Sequence, residues 1–259
     1  MDRAVLEKEL HIVEMREKKF LQMHRNSGEM LRNAIYKRIP PKLEGILQQA
    51  FLKAFKMVFE KGSGLIEKTV GKDDLLLEHE VNNFRLEKKS DKRSLKKVGL
   101  LSKKRNRTNV CVTTVEGIGF GLLGVGIPDI PVFLGILLKG VYEISASYGI
   151  DYSKKEEQVF ILRLIAAALA DEERRNTLDA YVEEWARDEN RALSFEKDLE
   201  VAAERLADSM LIAKFVQGFF VVGMLGGVMN PMIYGRVTQY AMLKYKKRYL
   251  MQKLIKTDV

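Results

Sequence analysis

The stretch GIGFGLLG, residues 117–124, contains the spacing G-x-G-x-x-G, which in dinucleotide-binding proteins lies between a strand and a helix. The N-terminus of that helix binds the pyrophosphate. A β-branched run at residues 110–115 precedes these glycines, but Pro128 and Pro131 follow soon after them. An uninterrupted helix cannot start there, and no second βαβ pattern follows. We therefore expect no nucleotide site, and the glycines need another explanation.

Histidine and cysteine, the usual metal ligands and nucleophiles, are scarce in this chain. His11, His24 and His79 lack metal-ligand spacing and lie in polar helical sequence, which predicts surface side chains. Cys111 has no neighbouring histidine and lies in an apolar stretch, so an inert buried thiol is expected. A single cysteine also excludes an internal disulfide and fits a reducing compartment. The sequence indicates no catalytic residue, no metal site and no cofactor.

The best candidate for a polar site is Asp129, the one charged residue between positions 117 and 138. A carboxylate within an apolar segment is a functional hypothesis by default. Its proposed companions are Glu116, Glu143 and Asn230. The alternative is structural, because Asp129 is also well placed to cap a helix that begins at the next residue.

Two long apolar segments set the chain apart from an ordinary soluble domain. Residues 117–138 carry the single charge of Asp129, and residues 215–234 carry none. Each approaches the roughly 20 residues that cross about 30 Å of hydrocarbon. Prolines interrupt the first segment, and Gly-Gly and Asn-Pro pairs interrupt the second. We therefore predict two glycine-rich apolar helical hairpins rather than straight spans.

Glycines at helical spacing indicate where these hairpins pack closely. Glycine costs about 1 kcal/mol relative to alanine in an exposed helix, so its repeated use implies close backbone approach. Small residues four apart let helices approach, especially in lipid. The residues concerned are Gly117, Gly121, Gly124, Gly223 and Gly227. Two alternatives stay open: a packed soluble core, and hairpins that contact or enter a membrane.

Basic clusters flank both apolar segments. They comprise Lys103, Lys104 and Arg105 before the first, and Lys244, Lys246, Lys247 and Arg248 after the second. Such clusters attract anionic lipid by about 1 kcal/mol per residue near the surface, and they fit the positive-inside rule for cytoplasmic flanks. We therefore expect anionic membrane lipid as a partner.

The formal net charge of +9 is unevenly distributed along the chain. Residues 85–107 contain eleven basic residues against two acids, and residues 236–256 contain seven against none. Residues 171–208 contain thirteen acids against six basic residues. This separation indicates an anionic partner at defined places. Nucleic acid is not expected, because the first block lacks interleaved aromatic residues and a recognisable binding fold.

Helical periodicity runs through most of the remaining sequence, and no convincing set of strands is present. The clearest apolar stripe lies between residues 41 and 62, after a proline at the first turn. A capping box from Ser153 to Glu156 and a cap at Ser194 predict two further helix starts.

These patterns predict an all-α, multi-helix fold. We assign residues 1–39 to a polar helical N-terminal extension and residues 40–255 to one helical domain. The polar sequence MDRAVLEKEL lacks the apolar core of a signal peptide, which predicts a cytoplasmic location.

The stretches that carry these motifs resemble the EcsC protein family. The central pattern consists of an E-G opening and glycine-rich run at 116–124, a D-I-P turn within 127–131 and a Y-G-x-D close at 148–151. The second pattern matches a V-G element at 221–230 and the sequence YKKR at 245–248. These motifs agree with the family in their order and spacing as well as in their composition.

The resemblance covers roughly residues 40–252 and departs from the family where Phe219-Phe220 stands in place of a proline before the V-G element. It implies an α-helical, membrane-associated accessory role, since the family is named for a gene beside an ABC transporter operon in Gram-positive bacteria. It supplies no catalytic residues.

Two hypotheses follow. The first is a non-enzymatic protein on the cytoplasmic face of a membrane, which engages lipid or a membrane transporter through its apolar hairpins and basic flanks. The second is a soluble helical ligand-binding protein or hydrolase-like enzyme with a site around Asp129. The sequence assigns no oligomeric state to either.

Overall fold

Helices account for the secondary structure of the residues that the structure describes. The computed structural model describes residues 3–23, 41–59, 79–80, 129–187, 194–216 and 231–257. Within those ranges the helices are α1 (Arg3–Met23), α2 (Pro41–Met57), α3 (Asp129–Ser147), α4 (Lys155–Ala168), α5 (Glu172–Arg187), α6 (Phe195–Val216) and α7 (Pro231–Thr257). No strand is present among them, which confirms the all-α prediction.

Helix α2 begins at the proline that the sequence placed in its first turn. Its apolar stripe is buried at Leu47, Phe51 and Phe55, and the helix packs on α3 and α6. The ring of Phe51 meets that of Phe133 on α3 edge-on, with centroids 6.3 Å apart. A three-four spacing of large apolar residues is what joins this helix to the core.

Helix α3 lies in the core. The window Ile130–Ser147 has a mean hydropathy of 1.4, and it is the one stretch in the described helices that is long and apolar enough to cross a membrane. However, 78% of that window is buried inside the protein, as in the core helix of a soluble domain. The side chains of Leu134, Leu137 and Val141 are fully buried among neighbouring helices.

Helices α3 and α7 run side by side in the same direction. Gly140 lies against Tyr234, the side chain of Ser145 contacts the hydroxyl of Tyr245, and the rings of Tyr148 and Tyr249 are 5.8 Å apart. Residue numbers rise together along both helices, so both begin at one end of the bundle. We call this the amino end, and the opposite one the carboxyl end.

Helix α1 packs antiparallel against α7. Phe20 lies 5.3 Å from Tyr240 between ring centroids, while Glu9 nearer the start of α1 pairs with Lys246 further along α7. The buried apolar residues of α1 are Leu6, Val13 and Phe20, which recur at helical spacing. The polar N-terminal helix is therefore attached to the core, whereas the predicted domain boundary near residue 39 lies outside the described residues.

The start of α4 differs from the predicted capping box. The helix begins at Lys155, and its N-cap residue, Lys154, makes no side-chain cap. Asp151 instead accepts hydrogen bonds at Oδ1 from the backbone nitrogen of Ser153 at 3.0 Å and from its hydroxyl at 2.6 Å. The serine is engaged by the preceding turn, which leaves it unable to cap the helix.

Helices α4, α5 and α6 are joined by a tryptophan and an arginine. The indole nitrogen of Trp185 donates to the carbonyl oxygen of Glu156 at 3.2 Å. The guanidinium of Arg163 lies 4.5 Å from the Trp185 ring centroid and pairs with Asp198 at 3.0 Å. Ser194 directly precedes α6, as predicted, and its hydroxyl donates to Asp198.

Candidate functional site

The strongest concentration of ionisable side chains in the described structure surrounds Lys244 at the middle of α7. Its ammonium group pairs with three carboxylates, at 2.6 Å from Asp179, at 2.5 Å from Glu183 and at closer range from Glu17. The lysine side chain is only 2% exposed. One buried cation therefore joins carboxylates from α1 and α5 to α7.

Neighbouring lysines extend this network. Lys247 donates to Glu17 at 3.0 Å and to Glu183 at 2.8 Å, so two carboxylates are shared between two ammonium groups. Lys246 pairs with Glu9 at 2.8 Å, and Glu9 lies just over two helical turns before Glu17 on α1. Opposite charges alternate in this part of the network, because Glu17 and Glu183 each lie between Lys244 and Lys247, and such pairing compensates for the burial of ions.

Burial and charge act in opposite directions on the pKa values in this network. Burial raises the pKa of Glu183, but Lys244 and Lys247 outweigh it and lower the pKa to about 2. For Glu17 burial prevails, and its pKa is raised above the usual value despite Lys244. Burial would lower the pKa of Lys244, yet the surrounding carboxylates raise it. The lysine is therefore a permanent cation.

A second buried cluster lies one turn further along α7. Arg248 donates from Nη1 to both carboxylate oxygens of Glu157 at 2.9 Å, and the hydroxyl of Tyr245 donates to Oε1 of Glu157 at 2.6 Å. The guanidinium also lies 4.2 Å from the ring centroid of Phe160. Burial and the adjacent Glu157 carboxylate raise the pKa of the Tyr245 hydroxyl well above its usual value.

These contacts account for the YKKR motif at residues 245–248. Tyr245 and Arg248 bind α4, whereas Lys246 and Lys247 bind α1 and α5. Tyr245 and Arg248 share Glu157, whereas Lys246 and Lys247 face other carboxylates, because the motif covers one full helical turn and its positions point to different sides of α7. In this arrangement the motif holds three helices on α7.

The predicted C-terminal basic flank is thus engaged inside the protein. Sequence analysis assigned Lys244, Lys246, Lys247 and Arg248 to anionic lipid, but carboxylates of α1, α4 and α5 balance their charges. Lys244 also lies about 15 Å along the axis of α7 from residue 234, where the second apolar segment ends. That distance exceeds the screening length of about 8 Å at physiological salt.

Most other predicted site residues lie outside the described residues. These are Glu116, Gly117, Gly121, Gly124, Gly223, Gly227, Asn230, Lys103, Lys104 and Arg105. The first predicted hairpin turn, at residues 127–131, overlaps the start of α3, which continues as one helix, whereas the second, at residues 226–231, lies almost entirely outside the described residues.

Asp129 and Glu143 are not brought together. Helix α3 begins at Asp129 and continues through Pro131 to Ser147, so the expectation that no uninterrupted helix can start there is wrong. A proline is tolerated in the first turn of a helix because its missing N–H would have no intrahelical partner there. The two positions are therefore about 21 Å apart along the helix axis. Glu143 is buried, at 7% exposure, in the second half of α3. It does not belong to a polar site at Asp129.

Sequence analysis missed a histidine contact at the turn after α3. Gly149 has φ +74, a backbone conformation that favours glycine, and its backbone lies directly under the ring of His79. The Nδ1 atom of His79 bonds to the carbonyl oxygen of Ser147 at 3.0 Å, and its ring lies edge-on to Tyr249. His79 is half-buried, so the surface prediction for it is wrong, and burial lowers its pKa.

The Y-G-x-D motif marked this turn, although it did not identify the partner. Tyr148 packs on Tyr249, Gly149 supplies the turn, and Asp151 binds Ser153. In the described residues no group of histidine, cysteine or acidic side chains is arranged to hold a metal ion. The contacts of the site join α1, α4 and α5 to α7, which supports a role in positioning these helices.

Comparison with known proteins agrees with the motifs. A sequence model described as the EcsC protein family matches residues 6–250, from within α1 to within α7. "Protein EcsC" of Bacillus subtilis (strain 168) is 24% identical over 231 residues, which cover 88% of each chain. "Uncharacterized protein YdbA" of the same organism is 31% identical over 160 residues, 60% of this chain and 58% of that protein's length. No solved structure matches the chain.

Proposed function

Because this chain belongs to the EcsC protein family, we propose that it is a non-enzymatic helical accessory protein that associates with the cytoplasmic face of a membrane. The all-α body holds the protein together, and the uncharged sequence that precedes α3 and α7 contacts lipid. The proposed link to an ABC transporter rests on the family resemblance alone.

The observation that carries this proposal is the absence of charge in two runs of a highly charged chain. Residues 117–128 and 217–230 contain no charged residue, whereas 31% of the whole chain is charged. The first run is 12 residues long, and the part of the second run that lies between α6 and α7 is 14 residues long. Both lengths are shorter than the roughly 20 residues that span a bilayer as a helix, and they fit interfacial or re-entrant segments. We therefore propose shallow insertion rather than a span.

The folded body supports this assignment. Helix α3 is apolar enough to span, but its side chains already form the core, so lipid contact falls on the sequence before it. The cations of α7 that could attract headgroups are paired with carboxylates. Apolar insertion, which is insensitive to salt, is then the main source of affinity.

Vesicle flotation tests the proposal. The purified full chain is expected to float with anionic vesicles, and to stay with them after a high-salt wash, because apolar contacts are not screened. Phe220→Asp places a charge in the second uncharged run and should reduce flotation at least several-fold. Tyr181→Asp is the matched control, since Tyr181 is an exposed aromatic residue on α5.

A protein that stays at the bottom of the gradient with every vesicle composition would contradict membrane association. That result would favour the second function, a soluble helical ligand-binding protein or hydrolase-like enzyme with its site at Asp129. The burial of α3 inside the protein is the observation that supports this second function. Equal flotation of Phe220→Asp and the wild type would instead remove residues 217–230 from the lipid contact.

A further inference from the structure

The direction of α3 and α7 decides from which end of the bundle the two uncharged runs leave. Gly140 lies 11 residues into α3, about 17 Å from its start, and contacts Tyr234, which is about 5 Å from the start of α7. The pairs formed further along, Ser145 with Tyr245 and Tyr148 with Tyr249, keep the same direction. Both helices thus begin at the amino end, offset by roughly 12 Å.

The two ends of α7 differ in chemistry. In the first half of α7, residues 231–243, the only charged residue is Arg236. The second half, residues 244–257, carries six basic residues. The first turn contains no acid and presents Met232, which is 72% exposed. The positive ends of the α3 and α7 dipoles also point to the amino end, where they favour anionic headgroups. The acidic first turn of α5, with Glu172 and Glu173, lies at the same end, because Arg236 on α7 donates to the carbonyl oxygen of Ala170 just before α5. An exposed apolar side chain, Ile255, is also present near the carboxyl end. The end that meets lipid is therefore assigned from the two uncharged runs, which join the body at the starts of α3 and α7.

If basic residues alone determined which end of the bundle meets lipid, the carboxyl end would face the bilayer. Four of the six basic residues there are engaged with carboxylates, and Lys253 lies over the ring of Tyr249. Charge in the sequence is therefore a poor guide to which end meets lipid.

We propose that the amino end of the bundle, where α3 and α7 begin and Met232 is exposed, faces the lipid bilayer, and that the carboxyl end of α7 points away from it. This inference rests on the proposed membrane association and adds the orientation of the folded body. The occupant of the surface is the bilayer itself, because both uncharged runs join the body there.

Site-specific labelling tests the orientation. Cys111→Ala removes the single native thiol, after which Met232→Cys and Ile255→Cys provide one label site each. Both positions are on α7 and strongly exposed, at 72% and 65%, so neither label disturbs the core. They are separated by about 35 Å along the helix. Circular dichroism and thermal unfolding establish that both variants fold like the parent.

Each variant carries an environment-sensitive fluorophore and is mixed with vesicles that contain acyl chains brominated near the headgroup. The label at position 232 is expected to shift to the blue and to be quenched several-fold more than the label at position 255. Stronger quenching at 255 or equal quenching at both, with flotation intact, would overturn the orientation and leave membrane association standing. Failure of the unlabelled protein to float would overturn both.

Discussion

Gly140 on α3 lies directly against the hydroxyl end of the Tyr234 side chain on α7. A Cβ atom at position 140 would lie 2.5 Å from the hydroxyl oxygen of Tyr234 and 3.0 Å from its Cζ atom. The tyrosine is fully buried and therefore has little freedom to move aside. The contact sets how near the two parallel helices can approach, because glycine is the one residue without a side chain there.

Gly140→Ala is expected to lower the free energy of unfolding by about 1–3 kcal/mol, since the added methyl group overpacks the interface. Gly135→Ala is the matched control on the same helix, where a Cβ atom would meet nothing within 4 Å. That change should stabilise by about 0.5–1 kcal/mol through helix propensity. Urea unfolding followed by circular dichroism measures both. Equal effects at the two positions would contradict the close contact at Gly140.

Gly149→Ala should destabilise for two separable reasons. A non-glycine residue at φ +74 is strained by about 1–2 kcal/mol, and the new methyl group would clash with the His79 ring. Truncation of the ring in the double variant His79→Ala/Gly149→Ala removes the clash and leaves the strain. In a double-mutant cycle the two changes should therefore be non-additive; additive free energies would show that His79 does not cover this turn.

Lys244→Ala should cost about 3–5 kcal/mol, because it leaves buried carboxylates without their shared cation. Lys246→Ala is the control, since Lys246 pairs with Glu9 alone among the described contacts and should cost under about 1 kcal/mol. Both are measured by urea unfolding at neutral pH. If Lys244→Ala unfolds no more readily than Lys246→Ala, the network does not hold α1 and α5 on α7.

Lowering the pH should reduce the free energy of unfolding, because it protonates the carboxylate of Glu183. Its pKa is about 2 in the folded protein, below the usual 4.5, so its contribution is complete above pH 4.5 and is lost as the pH falls toward 2. Glu183→Gln should remove about 1–2 kcal/mol of this pH dependence after allowance for solvent screening. The test compares unfolding of the two proteins between pH 5 and pH 2.

Glu17 gives the opposite sign and serves as an internal check on that experiment. Burial raises its pKa in the folded protein, so protonation of Glu17 favours folding as the pH falls through that raised value. Glu17→Gln should remove this gain in the free energy of unfolding. Its effect should appear at a higher pH than the effect of Glu183→Gln. Parallel pH profiles for Glu17→Gln and Glu183→Gln would contradict the assignment of these two groups.

Local sequence patterns were sufficient for much of the fold. The apolar stripe after Pro41 predicted the buried face of α2, and Ser194 predicted the start of α6. Both depend on residues within one or two turns of each other, which sequence spacing determines directly. The capping box at Ser153 failed because Asp151, two residues away, binds the same serine. The turn at Asp151 and the capping box both require the side chain of Ser153. The spacing of residues in the sequence does not show which of the two forms.

By itself, the sequence determined the helical class, the family and the two uncharged runs, because periodicity, motif order and composition are properties of the chain. It also showed an acidic block at 171–208 and a basic block at 236–256, but it assigned the basic block to an external anionic partner. Only the tertiary structure decided that the blocks face each other. Lys244 meets Glu183 across 61 positions, and Lys247 meets Glu17 across 230. Ion pairs act within a few ångströms of space, and distance along the chain does not reveal which charges the fold brings that close.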